Sequence, residues 1–372
     1  MKYLCLLLLA TSVTCRFTDD FYQLLAKKYA NENIISSPLS LEIALSMIYM
    51  GAGAKTAQQL TNVLGLPDNR EEVAAKTKDL LTELEGREKV AILTLANRIY
   101  VNNKIKLLPQ YNQVVKDSFK AEAVAIDMTD TKKAASIINK WVDDQTRGKI
   151  TKIVDSNALV DVLIVVLNAI YFKGQWQNQF DPSKTKKVSF HISKQKSVPV
   201  EMMAQLGIYR TAYIGALGAR VIELPYRNSS LSMVIYLPDK VDGLPELEKE
   251  IVGFPLKLSE DKVNLKLPKF KMEFSKLLNE ELNTMGIRDA FTLNANFEDM
   301  VGGGVFVKSV LQKAFIEVNE EGAEAAAITK IDMVFKSASR PQPIDFIADH
   351  PFAFVIRDKK NIYFQGHFVN PE

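Results

Sequence analysis

The spacing of apolar side chains predicts two clear helices in the first half of the chain. Ser37 and Pro38 precede a long apolar stretch that ends at Gly51. A serine cap, a proline at the first helical position and a closing glycine are typical helix boundaries. Few positions in this stretch are polar, so the helix is predicted to be buried. Residues 134–142 are apolar at three- and four-residue spacing up to Gly148, which predicts an amphipathic surface helix.

Strand-like runs dominate the remainder of the chain. Residues 90–101 form one run, and the β-branched run 162–172 predicts a strand buried on both faces. Asn168 lies within that second run, where an unpaired amide would cost about 1–3 kcal/mol, so we expect it to have a hydrogen-bond partner. Further runs are predicted at 219–224, 232–237, 263–267 and 269–274, with a C-terminal hairpin over 352–368. Helices come first, strands follow, and no linker separates them, which favours one large α+β domain.

One segment combines strand-like alternation with loop-like surroundings. Positions 323, 325, 327, 329, 331, 333 and 335 carry Ala, Ala, Ala, Thr, Ile, Met and Phe, whereas 324, 330, 332 and 336 carry charges. A period of two is typical of a half-buried strand. Residues 336–345, however, are mostly polar and include Pro341 and Pro343. The segment is therefore predicted to have two states, a loop outside and a strand inside a sheet, and its small residues would enter without overpacking.

The first fifteen residues are predicted to be a secretory signal peptide. Lys2 precedes a short apolar run, and the small residues Val13 and Cys15 indicate cleavage before Arg16. The run is too short to span a bilayer, and no other stretch is long enough, so a secreted, extracellular protein is expected. Because the chain's 2 cysteines lie in this segment, residues 16–372 would contain none. That excludes disulfides, thiolate nucleophiles and zinc–cysteine sites.

Composition and motifs argue against several other functions. The 47 basic and 44 acidic residues are interspersed, which gives no sign of nucleic-acid binding. His191, His350 and His367 lie in or beside predicted strands and are expected to be packed or hydrogen-bonded. No phosphate loop, serine-nucleophile motif or metal-ligand spacing occurs, so no enzyme, cofactor or metal is predicted.

The chain resembles the serpin family over essentially all of residues 16–372. The resemblance rests on many short motifs in a fixed order. They are NIISSPLS (33–40), MGAG (50–53), NRIYV (97–101), INKWV (138–142), TRGKI (146–150), NAIYFKG (168–174), LPY (224–226), FIEVNEEG (315–322) and HPF (350–352).

The resemblance implies a single domain with three β-sheets, about nine helices and an exposed reactive loop at about 321–345. In this family a target protease cleaves the loop and is trapped as an acyl-enzyme while the cleaved loop inserts into the central sheet. The native state stores the free energy that insertion releases, so inhibition is a kinetic race. A monomer with a protease as its partner is expected.

The family pattern also assigns roles within the loop. Counting from Glu320 places the scissile bond at Lys336–Ser337, which suits trypsin-like serine proteases. Phe335 beside Lys336 also suits papain-like cysteine proteases, so cross-class inhibition is an alternative. A second alternative is a non-inhibitory serpin that serves in binding or storage. The hinge that would enter the sheet first comprises Glu321, Gly322, Ala323, Glu324, Ala325, Ala326 and Ala327.

Two further sets of residues follow from the resemblance and from a sequence motif. A polar group that controls sheet opening is expected at Ser37, Ser40, Asn168 and Gln312, with Gln312 standing where the family usually has histidine. Trp176 matches a tryptophan near the point where the loop enters the sheet. Independently, Asn228-Ser229-Ser230 is an N-glycosylation sequon in a predicted turn.

Overall fold

A computed structural model describes residues 13–85, 91–251, 254–322 and 342–371. Within these ranges lie nine α-helices and three short 3₁₀-helices, the latter at Ser156–Leu159, Pro182–Lys184 and Asp289–Phe291. The α-helices are α1 (Val13–Lys28), α2 (Pro38–Gly51), α3 (Ala54–Leu64), α4 (Arg70–Glu85), α5 (Pro109–Phe119), α6 (Thr131–Gln145), α7 (Leu244–Glu250), α8 (Asn279–Met285) and α9 (Glu298–Val301).

The two helices predicted from apolar spacing are α2 and α6. Ser37 caps α2, since its Oγ accepts a hydrogen bond from the Ser40 amide at 3.3 Å, and Pro38 is the first residue of α2. Most of α2 is buried, as predicted. The predicted signal-peptide cleavage site, between Cys15 and Arg16, falls in the first turn of α1, whereas residues 1–12 lie outside the described ranges.

Fourteen strands are present in the described ranges, and they include each run predicted from the sequence. They are β1 (Ile34–Ser36), β2 (Ala91–Asn102), β3 (Glu122–Ile126), β4 (Ile164–Gly174), β5 (Lys186–His191), β6 (Ser197–Ile214), β7 (Ala219–Pro225), β8 (Ser232–Pro238), β9 (Ser259–Pro268), β10 (Phe270–Leu277), β11 (Val307–Val318), β12 (Ile344–Ile347), β13 (Phe352–Arg357) and β14 (Ile362–Phe368).

A five-stranded sheet has the order β10-β11-β4-β2-β3. Its central strand, β4, is buried along nearly its whole length, as its continuous apolar run predicts. β4 pairs with β11 in parallel and with β2 antiparallel. We call the line between β4 and β11 the seam. Asn168 lies opposite Gln312 across the seam and opposite Asn97 on β2.

The other strands form one nine-stranded sheet. Its order is β1-β14-β13-β8-β7-β6-β9-β12, and β5 also pairs with β6. The resemblance implied three sheets, but continuous hydrogen bonding groups the described strands into two. The 18-residue strand β6 accounts for this difference, because its first part pairs with β5 and β9 and its last part pairs with β7.

Hydrophobic clusters hold the helices against the sheets. α2 lies in the largest cluster, between the two sheets, while Ala134, Ile138 and Val142 of α6 pack on the five-stranded sheet. α1 and α7 pack on the nine-stranded sheet around β8 and β13. None of the helices in the described ranges combines the length and apolar character needed to cross a bilayer.

Candidate functional site

A buried polar cluster lies at the middle of the seam. Asn168 Nδ2 donates hydrogen bonds to Ser40 Oγ at 2.5 Å and to Asn97 Oδ1 at 2.6 Å. Gln312 Nε2 donates to Asn168 Oδ1 at 2.7 Å, directly across the seam. Asn168, Ser40 and Gln312 are completely buried. The hydrogen-bond partners expected for Asn168 are therefore present.

Gln312 links the seam to the segment that precedes α2. Its Oε1 accepts a hydrogen bond from Ser36 Oγ at 2.7 Å, and its Nε2 lies 3.4 Å from the Ser37 carbonyl oxygen. Glutamine thus supplies both an acceptor and a donor at this point of the seam. Separating β11 from β4 would break the Gln312–Asn168 bond, so opening the seam requires this buried cluster to rearrange.

The structure brings together all four residues of the polar group expected from the sequence. Ser37 takes part through its carbonyl and as the cap of α2, whereas Ser40, Asn168 and Gln312 take part through their side chains. Sequence reasoning missed Ser36 and Asn97. Asn97 did carry a signal, because it is a second asparagine within a mostly apolar strand. No feature of the sequence distinguished Ser36 from the neighbouring Ser37.

The chain is held tightly where it leaves β11, at residues 319–322, which we call the β11 exit. The Phe180 amide donates to the Glu320 carbonyl at 2.9 Å, and the Trp176 amide donates to the Glu321 carbonyl at 3.1 Å. The Trp176 indole Nε1 also donates to the Asn319 carbonyl at 2.9 Å. Three successive carbonyls of the β11 exit are therefore bound by the segment that follows β4.

The Glu320 side chain anchors the β11 exit on its other side. Its carboxylate accepts a hydrogen bond from Thr185 Oγ1 at 2.7 Å and lies 3.1 Å from Lys269 Nζ, which also lies 3.5 Å from Glu201. Burial acts to raise the pKa of Glu320. The hydrogen bond from Thr185 and the contact with Lys269 outweigh burial, and the pKa lies below its ordinary value.

Gly322, the second hinge residue, has a conformation that requires glycine. Its φ is +99°, in the region that side chains disfavour. A Cβ atom there would lie only 2.4 Å from both the Gly174 carbonyl oxygen and the Trp176 amide nitrogen. The backbone of the β11 exit therefore packs so closely on the end of β4 that a side chain at position 322 would not fit.

Aromatic stacking supports this end of the molecule. Trp176 stacks on Tyr226 with ring centroids 4.7 Å apart and an interplanar angle of 12°. Tyr226 leads into the turn between β7 and β8, where Asn228 of the predicted sequon is exposed with a φ of +48°. An open surface pocket nearby is lined by Gln177, Arg227 and the sequon.

The remaining predicted loop residues lie outside the described ranges, within residues 323–341. These are Ala323, Glu324, Ala325, Ala326, Ala327, Phe335, Lys336 and Ser337. The described part of the loop thus comprises Glu321 and Gly322 before this gap, and residues 342–345 after it. β12 begins at Ile344 and pairs with β9 at one edge of the nine-stranded sheet.

All three histidines make hydrogen bonds, and two of them do so through their rings. His350 bonds to Asp349 at 2.8 Å and to the Pro238 carbonyl at 2.7 Å. His367 is fully buried and bonds to the Glu248 carboxylate at 2.7 Å. His191 is exposed at the end of β5, and its backbone amide donates to the Asp349 carbonyl at 2.7 Å. In the described ranges, no group of three or more His, Cys, Asp or Glu side chains could hold a metal ion.

Comparison with known proteins agrees with this geometry. Residues 12–371 match the family described as Serpin (serine protease inhibitor). The chain belongs to the serpin family.

Individual serpins match along nearly their whole length. Serine protease inhibitor 42Dd of Drosophila melanogaster is 50% identical over 377 residues, covering 100% of both chains. The crystal structure of Serpin48, described as a highly specific serpin of the insect Tenebrio molitor, superposes with a TM-score of 0.88 at 30% identity, covering 97% of each chain. Human thyroxine-binding globulin, solved in complex with thyroxine, superposes with a TM-score of 0.89 at 28% identity, covering 97% of this chain and 98% of that one.

Proposed function

We propose that this serpin is a suicide-substrate inhibitor of trypsin-like serine proteases, with Lys336–Ser337 as the reactive bond. The relation between the seam and the β11 exit carries the proposal. β11 and β4 run parallel, and the chain turns at Gly322 as it leaves β11. A strand that folds back from this turn would run antiparallel to both neighbours. It could therefore form antiparallel ladders on both sides, the more stable form of strand pairing.

The sequence of the loop suits such an inserted strand. From Ala323 to Phe335 the alternate positions are small or apolar, and the charged Glu324, Lys330 and Asp332 lie between them. One face can be buried while the other remains in water. The small residues come first, where the strand would enter between β11 and β4.

Lysine before the reactive bond supports a trypsin-like target. A protease whose specificity pocket holds a carboxylate binds a lysine side chain as an ion pair. Phe335, directly before Lys336, also suits papain-like cysteine proteases, which are therefore a second possible target class. A panel of trypsin and cathepsins, with mass spectrometry of the cleaved bond, separates the two: trypsin-like inhibition predicts trapping by trypsin and cleavage after Lys336.

Incubation with trypsin, followed by electrophoresis in SDS, tests the mechanism. Trapping predicts a complex that survives SDS because the protease remains covalently attached. Clean cleavage without a complex would contradict it. Ala323→Arg should convert the inhibitor to a substrate, because a charged side chain would have to enter the seam. Glu324→Arg is the matched control, since position 324 lies on the outward face of the alternation and should leave the stoichiometry of inhibition nearly unchanged.

A non-inhibitory binding or storage protein is the alternative function. The similarity to thyroxine-binding globulin favours it, because that structure contains a bound small molecule on the same fold. A carrier would be cleaved by trypsin without forming a complex, and Ala323→Arg would not alter that outcome.

We further propose that residues 1–15 are removed on secretion, that residues 16–372 act as a monomeric single domain, and that Asn228 carries a glycan. The exposed position of Asn228 supports the last point. Secreted protein should begin at Arg16 by N-terminal sequencing. Asn228→Gln should abolish the mass decrease that glycosidase treatment produces in the wild type.

A further inference from the structure

A surface cavity of about 510 Å³ lies where β8 ends, beside β12. Its volume falls within the range of about 300–1,000 Å³ that small-molecule sites commonly have. Tyr213, Arg220 and Leu237 line one part of the cavity and lie opposite one another across β6, β7 and β8. Residues that pair in this way point to the same face of a sheet, so the three side chains form a continuous wall.

The cavity offers apolar surface to a ligand. Leu237 and Pro238 are buried at the end of β8, and Ile347 of β12 is half-buried. The Tyr213 side chain is 62% exposed, so its ring is accessible from the cavity. A hydrocarbon group that enters the cavity can therefore pack on aliphatic and aromatic carbon.

Arg220 gives the cavity a positive charge that the described chain leaves unpaired. The residue is exposed, and its guanidinium forms no ion pair with a carboxylate of the described residues. A guanidinium binds a carboxylate through two parallel hydrogen bonds. Arg220 can therefore accept the carboxylate of a ligand without first giving up a partner.

Two carboxylates of the cavity have acceptor capacity to spare. Asp239 Oδ2 accepts a hydrogen bond from the Tyr213 hydroxyl at 2.9 Å, and Asp345 Oδ1 accepts one from Asn264 Nδ2 at 2.8 Å. Each of these contacts engages one of the two carboxylate oxygens. The other oxygen can therefore accept a hydrogen bond from the ammonium group of a ligand.

Asp349 adds a third carboxylate to the cavity wall. Its Oδ1 lies 2.8 Å from His350 Nδ1. Burial acts to raise the pKa of Asp349, but the hydrogen bond with His350 outweighs burial, and the pKa lies below its ordinary value. Asp349 is therefore ionised at neutral pH. Three carboxylates against one guanidinium favour a ligand that carries a positive charge.

We propose that this cavity binds a free α-amino acid with an apolar side chain. The ammonium group would lie among Asp239, Asp345 and Asp349. The carboxylate would pair with Arg220, and the side chain would pack on Leu237. A zwitterion brings the matching charge to each of the two kinds of group in the cavity. The reactive bond takes no part in this site, so amino-acid binding is independent of protease inhibition.

Calorimetric titration of the full chain with three related probes tests both charge contacts. L-phenylalanine carries both charges, phenethylamine lacks the carboxylate, and 3-phenylpropanoate lacks the ammonium group. We expect a Kd of about 0.1–1 mM for L-phenylalanine. Phenethylamine should bind about tenfold more weakly, and 3-phenylpropanoate should not bind, because it would face three carboxylates.

Two results of these titrations would overturn the proposal. One is equal affinity for L-phenylalanine and phenethylamine, because the cavity would then recognise an amine alone. The other is an absence of binding by both L-phenylalanine and L-leucine up to about 10 mM, which would exclude aromatic and aliphatic amino acids alike.

Arg220→Gln tests the carboxylate contact. The affinity for L-phenylalanine should fall about tenfold, to that for phenethylamine, whereas binding of phenethylamine should not weaken. Arg227→Gln is the matched control, because Arg227 is exposed in the other surface pocket, beside Gln177. It should leave both Kd values unchanged. Wild-type affinity for L-phenylalanine in Arg220→Gln would refute the site.

Asp345→Asn tests the ammonium contact. The amide oxygen can still accept from Asn264, so the charge is lost while this hydrogen bond is kept. L-phenylalanine and phenethylamine should both bind about fivefold more weakly. Asp242→Asn is the control, because Asp242 is exposed and pairs with Lys194 at 2.6 Å outside the cavity. Weaker binding of L-phenylalanine alone, or no change, would contradict the proposed position of the ammonium group.

Thermal unfolding provides a second readout. A ligand that binds only the folded chain raises the melting temperature, and L-phenylalanine at about ten times its Kd should raise that of the wild type by about 2 °C. The double variant Arg220→Gln/Asp345→Asn should show no increase. An equal increase in both proteins would show that the amino acid acts elsewhere and would refute the site.

Discussion

The Glu320 carboxylate lies 3.1 Å from Lys269 Nζ at the point where β11 ends. Lys269 directly precedes β10, whereas Trp176 and Phe180, which bind the adjacent carbonyls, follow β4. The β11 exit is thus tied to segments next to both strands that flank β11, β10 and β4. Because the proposed hinge begins here, these contacts must adjust when a loop strand enters the seam.

Glu320→Gln should destabilise the native state. The amide can still accept from Thr185 but loses the charge that attracts Lys269, at a cost of about 1–2 kcal/mol in the free energy of unfolding. Urea unfolding of the wild type and the variant measures this loss of unfolding free energy. Glu317→Gln is the control, since Glu317 near the end of β11 pairs at 3.2 Å with Lys271 on β10, and Lys271 is largely exposed. Its effect should be about 0.5 kcal/mol or less, and equal effects would refute a special role for Glu320.

The contribution of Glu320 should also depend on pH. Its pKa is lower in the folded protein than the ordinary value of 4.5. The stabilisation is therefore complete above pH 4.5 and is lost as the pH falls through the lower folded value. The difference in unfolding free energy between wild type and Glu320→Gln should shrink over that acidic interval. A difference that instead shrinks between pH 6 and 8 would contradict this assignment.

Gln312→Glu should weaken the seam at nearly constant volume. A carboxylate oxygen would replace the Nε2 donor 2.7 Å from Asn168 Oδ1, so two acceptors would face each other in a buried site. Rotating the Asn168 amide would break its bonds to Ser40 and Asn97. We expect a loss of about 2–3 kcal/mol by urea unfolding and faster self-association on heating. Gln205→Glu makes the same chemical change at a more accessible site and should cost much less.

Gly322→Ala should displace the β11 exit. The new Cβ would overlap the backbone at Gly174 and Trp176, in addition to the strain of a positive φ. Gly304→Ala is the control, because Gly304 has a φ of +72° and nothing within 4 Å of the added atom. That control should cost about 1 kcal/mol. Gly322→Ala should lower the melting temperature further and change the fluorescence of Trp176, and identical behaviour of the two variants would contradict the steric argument.

Local patterns predicted most of the elements, and long-range contacts explain what they missed. α2 was predictable because Ser37, Pro38 and Gly51 mark its ends, and β4 because its apolar run is continuous. The burial of Asn168 in that run indicated that partners must exist. No local pattern connects Glu320 with Thr185, which lies 135 residues away along the chain, or with Lys269, which directly precedes β10. Their contact arises only from the packing of the sheet.

The joining of two expected sheets into one has a similar cause. β6 changes partners along its length, from β5 to β9 and then to β7. Alternation in the sequence shows that a strand exists but does not identify its neighbours. The exposure of Leu206 and Ile208 on β6 was also not predicted, because both residues continue the apolar spacing of a strand.

The most direct test of the central claim is the melting temperature of the protein before and after cleavage at Lys336–Ser337. If the native fold stores free energy that loop insertion releases, cleavage should raise the melting temperature by tens of degrees, even though a peptide bond has been lost. An unchanged or lower melting temperature after cleavage at that bond would show that the loop does not enter the seam, and would contradict the trapping mechanism.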